Sequence, residues 1–418
     1  MGGMRVLQIT PYYEGAWGYG GIPRVVVVLS AALARRGHRV TVCTTDACDS
    51  RTRLANENEG LSGPRLRPWR PRTGCDGVEV RVFPNLSNRL AYDLQLFQPI
   101  GLRRWLREHA SGFDVAHLHG QHHLPGAIAA AELRRAGVPY LVEPNGTALR
   151  SGRRRLAKAA FDRTVGRNVL RGARSVIAVT EAERAQLEAL GVARERLCVV
   201  PNPVDLREFA GIARPVARAA GAPRRVLYLG QLLPRKQVDV LVRALAELPE
   251  TTELEIAGND SGCEPALRDL VQRLGLSSRV RFTGLLRGRE RLLALAAADV
   301  VAYAGRDEAF GLVPLEALLC GTPVVVANDC GCGEVVGRVG GGLAVPPGDP
   351  AALARALARV LADPESWRAA TRGAAESIRR LYGSDVVAAA CEQAYQAAIS
   401  RAPDGSEEAR WWTRRLPA

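Results

Sequence analysis

A β-rich apolar run followed by a longer helical stretch, then another apolar run, is repeated along the chain, first over its N-terminal half and again over its C-terminal half. The first series is Arg5–Thr10, Arg39–Thr45, Val78–Phe83, Asp114–His119, Pro139–Pro144, Ser175–Thr180 and Leu197–Pro201. The second is Arg225–Gly230, Leu254–Gly258, Val280–Gly284, Asp299–Gly305 and Thr322–Ala327. Continuous apolar strands separated by helices can be buried on both faces only in a parallel sheet with helices on either side. The fold class expected is therefore α/β, with two doubly wound, Rossmann-like domains whose strand ends face a deep cleft, because ligands of such sheets bind outside the carboxyl ends of the strands. Helix punctuation agrees. Pro23 stands at a first helical position with Gly37 beyond the last turn, and Thr180 with Glu183 has the spacing of a capping box.

A length of 418 residues favours two such domains. The boundaries expected are 1–209 for an N-terminal Rossmann-like domain, 210–224 for an Ala-, Gly-, Pro- and Arg-rich linker, and 225–375 for a C-terminal Rossmann-like domain. A helix at 376–400 is expected to pack back on the first domain, and 401–418 is read as a loose tail. With 47% hydrophobic and 24% charged residues the chain has a globular composition. Its net charge of 57 − 43 = +14 favours polyanionic partners, although an Arg- and Ala-rich coding bias accounts for it equally well. Nine cysteines at irregular spacings argue against a disulfide framework and for a reducing compartment. With no visible signal peptide and no apolar run of membrane-spanning length, the location expected is cytoplasmic, at most peripheral on the cytoplasmic face of the membrane.

The stretch "GRDEAFGLVPLEALLCGTPVVV" sets Glu308 in a loop and Glu316 eight residues later in the first turns of a helix. Between them, Ala309, Phe310, Gly311 and Leu312 carry amides of a helix N-terminus, which suits anions, and Gly311 permits close approach of a ligand. Both carboxylates are suited to sugar or ribose hydroxyls. They are equally suited to capping the helix and favouring its dipole, and spacing alone leaves the two readings open.

This stretch resembles the glutamate, seven residues, glutamate signature of the retaining family-four glycosyltransferases. Further motifs follow in that family's order: "GYGGIPRVVVVLSAALARRGHRVTVCTT", "DVAHLHG", "AVTEAERAQL" with "VVPNPVD", and "YLGQLLPRKQVDVLVRAL". The resemblance implies a GT-B architecture and a nucleotide-diphosphate sugar (UDP-, GDP- or ADP-linked) as donor. It also implies a hydroxyl acceptor, a lipid-linked saccharide among the candidates, and no metal or other cofactor. Position by position it implies that Lys236, with Arg235 beside it, neutralises the diphosphate leaving group. Glu308 contacts the donor sugar, the backbone from Ala309 through Leu312 lies along sugar and phosphate, and Glu316 holds the ribose. Gly20 and Gly21 bring amides to the phosphates, and His119 lies near the sugar hydroxyls. Gln231 and Gln237 depart from the pattern, standing where the family commonly has Arg and Gly, and Arg235 is the candidate for the missing charge. Ala309 replaces a glycine and needs a negative φ to be tolerated.

Three features lie outside that constellation. "HLHGQHH" gathers His117, His119, His122 and His123, but with no carboxylate or cysteine pattern to complete it no metal site is expected, and none at Cys330 and Cys332. In a helical 152–174 segment, Phe161, Val165 and Val169 oppose Arg163, Arg167 and Arg171, which keeps an anionic membrane surface among the partners considered. Tyr12, Tyr13 and Trp17 flank the glycine loop and suit either sugar stacking or loop packing, while Trp411 and Trp412 belong to the tail. The activity expected is retaining glycosyl transfer in polysaccharide, glycolipid or glycosylated-metabolite biosynthesis. Its rivals are a nucleotide-sugar epimerase and a non-enzymatic basic protein, and no helix-turn-helix, finger or aromatic-basic motif supports nucleic-acid binding.

Overall fold

In the computed structural model, residues 2–48, 52–54, 70–149, 155–212 and 221–400 are described. The chain forms two compact units, Met1–Pro203 with Ser384–Ala418, and Val204–Gly383. The divisions fall at Pro203 and Gly383 rather than at the expected 209 and 375. Most of the expected linker, 213–220, and the expected tail lie outside the described residues.

The first unit is built on an eight-stranded sheet: β1 (Arg5–Ile9), β2 (Arg39–Thr45), β3 (Arg70–Thr73), β4 (Glu79–Phe83), β5 (Val115–His119), β6 (Tyr140–Glu143), β7 (Ser175–Ala178) and β8 (Leu197–Val199). Its order is β3-β4-β2-β1-β5-β6-β7-β8, parallel except for β3. The sequence reading missed β3. With Pro71 inside it, it sits at the edge, where the lost ladder donor is tolerated. The Ile22–Arg35 helix starts with proline in its first turn, and Gly37 beyond it has φ 91°. Thr180 caps the Glu181–Ala189 helix by accepting from the Glu183 amide. The buried Glu183 carboxylate accepts from Val179 N (2.8 Å) and Gly146 N (2.6 Å).

The second unit holds β9 (Arg224–Leu229), β10 (Thr252–Ala257), β11 (Val280–Gly284), β12 (Val300–Tyr303), β13 (Val324–Ala327) and β14 (Gly342–Val345), in the order β11-β10-β9-β12-β13-β14 and all parallel. Strand order reverses between β9 and β12, and between β1 and β5 in the first unit, so each sheet has one switch point where ligands of doubly wound folds bind. Val226, Val300 and Val325 are buried in the second unit's core with Val242, Leu245 and Leu357 from its helices.

The expected helix at 376–400 is two elements. The Pro364–Tyr382 helix belongs to the second unit and ends before Gly383, and the Ser384–Ser400 helix belongs to the first. Val387, Ala388, Cys391, Tyr395 and Ala398 of the latter lie in the same core cluster as Val6, Val42 and Leu141. The eight described cysteine side chains are free thiols.

The 152–174 segment is not one amphipathic helix. It runs as Arg155–Phe161, a π turn over Asp162–Gly166, then Arg167–Gly172, and 152–154 lie outside the described residues. Its apolar positions do not form an outward stripe, because Val169 is in the core and Phe161 lies edge-on against His122. Among the described residues no helix is long and apolar enough to cross a membrane.

Candidate active site

After β9 the chain turns through Gly230 and a short 3-10 turn, Pro234–Lys236, into the Val238–Ala246 helix. After β12 it passes Gly305 and Glu308 to Gly311, which precedes the Leu312–Leu319 helix in a left-handed conformation, φ 82°. The two loops are laced together at the β9/β12 switch point: Arg306 N donates to the Arg235 carbonyl (2.8 Å). A Cβ at Gly305 would come within 3.1 Å of Lys236 Cα, so any side chain here would push the two loops apart by a few tenths of an ångström.

That lacing brings the expected charges onto one point. Glu308 Oε1 lies 2.8 Å from Lys236 Nζ and 2.5 Å from Arg235 NH1. Its Oε2 accepts from the Tyr303 hydroxyl at 3.0 Å, and Lys236 Nζ reaches that hydroxyl at 2.6 Å. Tyr303, the last residue of β12, went unnoticed in the sequence, although a tyrosine ending an otherwise aliphatic strand was the available signal. Lys236 and Glu308 are each 7% exposed, whereas the Arg235 side chain is 47% exposed and is the group of the three that reaches solvent. Burial pushes the Glu308 carboxyl up, but Lys236 and Arg235 outweigh it and hold the group below the ordinary carboxylate range. Burial pulls the Lys236 ammonium below the usual lysine value, and Arg235 adds to this against the opposing pull of Glu308.

Cys332 N donates to the Glu308 carbonyl (2.9 Å), and a Cβ at Gly311 would meet Cys332 Sγ at 2.5 Å. Phe310 is buried with its ring edge-on to Tyr382, so its side chain is structural. Ala309 is not in the left-handed region, which fits the loss of a glycine there, but Gln237 is: it holds φ 52° where the family commonly has glycine. Glu316 is buried and its carboxylate is clamped by Arg291, which also pairs with Glu208 at 2.8 Å. Arg291 was missed because its partner is 25 residues away in sequence.

In the first unit, Gly20 has φ 103° and donates its amide to Trp17 O at 3.2 Å, so this N–H is already engaged rather than offered to a phosphate. Gly21 is exposed at the start of the Ile22–Arg35 helix. Tyr12 and Tyr13 are buried, with Tyr12 stacked on Tyr19 (4.8 Å) and edge-on to Phe97, which makes them loop packing. His119 is a correction. It is 0% exposed, with Nε2 2.5 Å from Gln8 Oε1 and Nδ1 3.0 Å from Glu143 Oε2, so both ring nitrogens face the protein interior. A second correction concerns the missing carboxylate of the histidine cluster: Glu143, which pairs in register with His119 across β5 and β6, supplies it.

Two Rossmann-like units, each with one sheet switch point, and at the second unit's switch point two cations on one carboxylate beside a helix N-terminus, are the features of a GT-B glycosyltransferase. Family models for "Glycosyl transferase 4-like domain" and "Glycosyl transferases group 1" match residues 20–203 and 212–377. The chain belongs to this GT4-type family of glycosyltransferases. It is 32% identical over 403 residues to the D-inositol 3-phosphate glycosyltransferase of Xylanimonas cellulosilytica, covering 92% of this chain and 93% of that protein. It is 29% identical to the glycogen synthase of Mycobacterium tuberculosis, covering 94% and 95%. Among solved structures, Anabaena HepE in complex with UDP-glucose superposes with a TM-score of 0.70 at 20% identity, covering 94% of this chain and all of that one. Sucrose-phosphate synthase from Thermosynechococcus elongatus gives 0.70 at 22%, covering 94% and 98%.

Proposed function

We propose that the chain is a retaining hexosyltransferase that moves a sugar from a nucleoside diphosphate to an acceptor hydroxyl without a catalytic metal. The observation that carries this reading is the convergence of Lys236 and Arg235 on Glu308 Oε1 at the β9/β12 switch point. Breaking the bond between sugar and diphosphate develops negative charge on the leaving oxygens, and preorganised cations and helix-end amides lower that barrier, one well-placed donor contributing about 3 to 4 kcal/mol. The diphosphate takes the place that Glu308 holds on the two cations. Glu308, freed from them, accepts from the donor sugar's hydroxyls, and the acceptor attacks the face the diphosphate leaves. Arg235, the more exposed cation, supplies the charge that Gln231 does not. Glu316 is the ribose anchor, oriented by its ion pair with Arg291.

Structures of HepE with UDP-glucose and of a starch synthase with ADP support a nucleotide-sugar donor but leave uridine and adenosine as alternatives. The inositol-phosphate and glycogen enzymes among the relatives make a phosphorylated polyol and an α-glucan primer the first acceptors to try. The deciding experiment incubates the protein with UDP-, GDP- and ADP-sugars and these acceptors, no divalent ion added, and follows product by NMR. Release of nucleoside diphosphate with a glycoside of the donor's own anomeric configuration is expected. An inverted anomer, or an isomerised nucleotide sugar with no glycoside, overturns the reading.

A further inference from the structure

The buried histidines of β5 form a closed ring of polar contacts that is one hydrogen short. Glu143 Oε2 faces His119 Nδ1 (3.0 Å) and His117 Nε2 (3.2 Å). His119 Nε2 meets Gln8 Oε1 (2.5 Å), Gln8 Nε2 meets the Tyr395 hydroxyl (3.2 Å), and that hydroxyl meets His117 Nδ1 (2.9 Å), closing the circle. These five contacts need five hydrogens, one each. Two neutral imidazoles supply one apiece, the amide one and the phenol one, while an ionised carboxylate supplies none. The sum is four, whichever way the amide and the rings are turned.

The count takes both rings as neutral and the carboxyl as ionised. In that state a nitrogen lone pair faces a carboxylate oxygen inside the protein, and a cation between them, a proton or a metal ion, removes the mismatch. The mismatch falls at one place. His117 Nε2, His119 Nδ1 and Glu143 Oε2 are all buried and none has a hydrogen-bond partner of acceptable geometry among the described residues.

We propose that His117 Nε2, His119 Nδ1 and Glu143 Oε2 bind a divalent first-row transition metal, with Zn²⁺ as the first candidate. The three atoms lie within 4.8 Å of one another, and two imidazoles with a carboxylate are a ligand set that zinc accepts. The surroundings are those of a metal site. A ligating imidazole is oriented by a hydrogen bond from its other nitrogen. With the ion bound, His119 Nε2–H would donate to Gln8 Oε1, 2.5 Å away, and His117 Nδ1–H to the Tyr395 hydroxyl, 2.9 Å away. Gln8 Nε2 donates to that same hydroxyl, so with the metal bound every remaining contact of the ring has its hydrogen. The ion would tie β5 and β6 to the Ser384–Ser400 helix through Tyr395, which makes it structural, and the site is separate from the Glu308 constellation of the other unit.

The test measures metal per chain by mass spectrometry on full-length protein exposed to Zn²⁺ or Co²⁺ and then dialysed against metal-free buffer. About one ion per chain is expected, with X-ray absorption at the metal edge showing imidazole and carboxylate ligands. Glu143→Gln supplies the missing hydrogen through its amide and should fold without the ion, losing at least about nine-tenths of the bound metal, whereas His122→Asn should keep it. Wild-type protein that retains no metal overturns the proposal, as does a bound ion without imidazole ligands or a folded Glu143→Gln that binds as wild type does. A ¹⁵N spectrum of metal-free wild type showing an imidazolium at His117 or His119 would place a proton where the ion is proposed and also overturns it. Should the variants fail to fold, the wild-type metal count and absorption spectrum decide alone.

Discussion

Lys236 and Glu308 form a buried ion pair of 2.8 Å whose carboxylate oxygen is shared with Arg235 and whose ammonium is shared with the Tyr303 hydroxyl. Two cations held on one internal anion form an anion site already assembled, and under the proposed function the diphosphate displaces that carboxylate. Replacing Lys236 by Ala leaves Glu308 with Arg235 and Tyr303, so the fold should persist. Turnover should fall by about 10² to 10³, the usual effect of removing one well-placed transition-state donor. Steady-state kinetics beside a circular dichroism spectrum checks this, and near-normal turnover would remove Lys236 from the mechanism.

The Arg291–Glu316 pair is enclosed on both sides. Truncating Arg291 to Ala takes the paired cation away from a buried carboxylate and should cost about 3 to 5 kcal/mol, while Arg291→Met with Glu316→Leu should recover most of that loss in stability. Urea unfolding of the single and double variants reads both values. A single variant as stable as the parent would show that water reaches Glu316.

Gln237 occupies left-handed backbone at φ 52°, a conformation costing a side chain about 1 to 2 kcal/mol. Gln237→Gly should therefore be neutral to stabilising by up to about 1 kcal/mol, part of the gain being offset by the freer unfolded chain. Gln237→Val, β-branched at the same φ, should be clearly destabilising. Thermal unfolding of the two in parallel distinguishes backbone strain from loss of the glutamine side chain, which would make both variants weaker.

Glu183 carries a pH dependence. Burial raises its carboxyl from 4.5 to about 7, against two backbone hydrogen bonds that lower it. A folded-state value above the unfolded one means that the folded protein holds the proton longer. Its contribution is thus full below pH 4.5 and is lost as pH rises to about 7. Relative to Glu183→Gln, wild-type stability should decline across that window in urea titrations at a series of pH values. A constant difference would place Glu183 at its ordinary value.

Much of the fold was legible because buried parallel strands are written as contiguous apolar runs, and the first residue of nearly every one was found within two positions. The exceptions lacked that signature: β3 is "RPRT", an edge strand with a proline, and β14 is "GLAV", opening on glycine. Glu308, Arg235 and Lys236, which the structure brings together, stand in local motifs. Tyr303, Arg291 and Glu143 do not, because each has a partner, Lys236, Glu316 or His119, that only strand order or helix packing brings near. Glu143 illustrates the gap: its carboxylate lies beside His119 through the β5/β6 register, and spacing within "HLHGQHH" says nothing of a neighbouring strand. His119 itself was placed at the right strand end but facing the wrong way, since alternation tells which residues share a face and not what covers it.

The Ser384–Ser400 helix puts Tyr395 and Ala398 into the interior of the first unit. During synthesis, that interior must wait for almost the last of the chain to emerge from the ribosome, while the intervening unit, contiguous from Val204 to Gly383, already has all its parts. The order of maturation is therefore the reverse of the order of translation, and a message truncated near codon 384 would yield a complete Val204–Gly383 unit joined to an N-terminal half that lacks its closing helix.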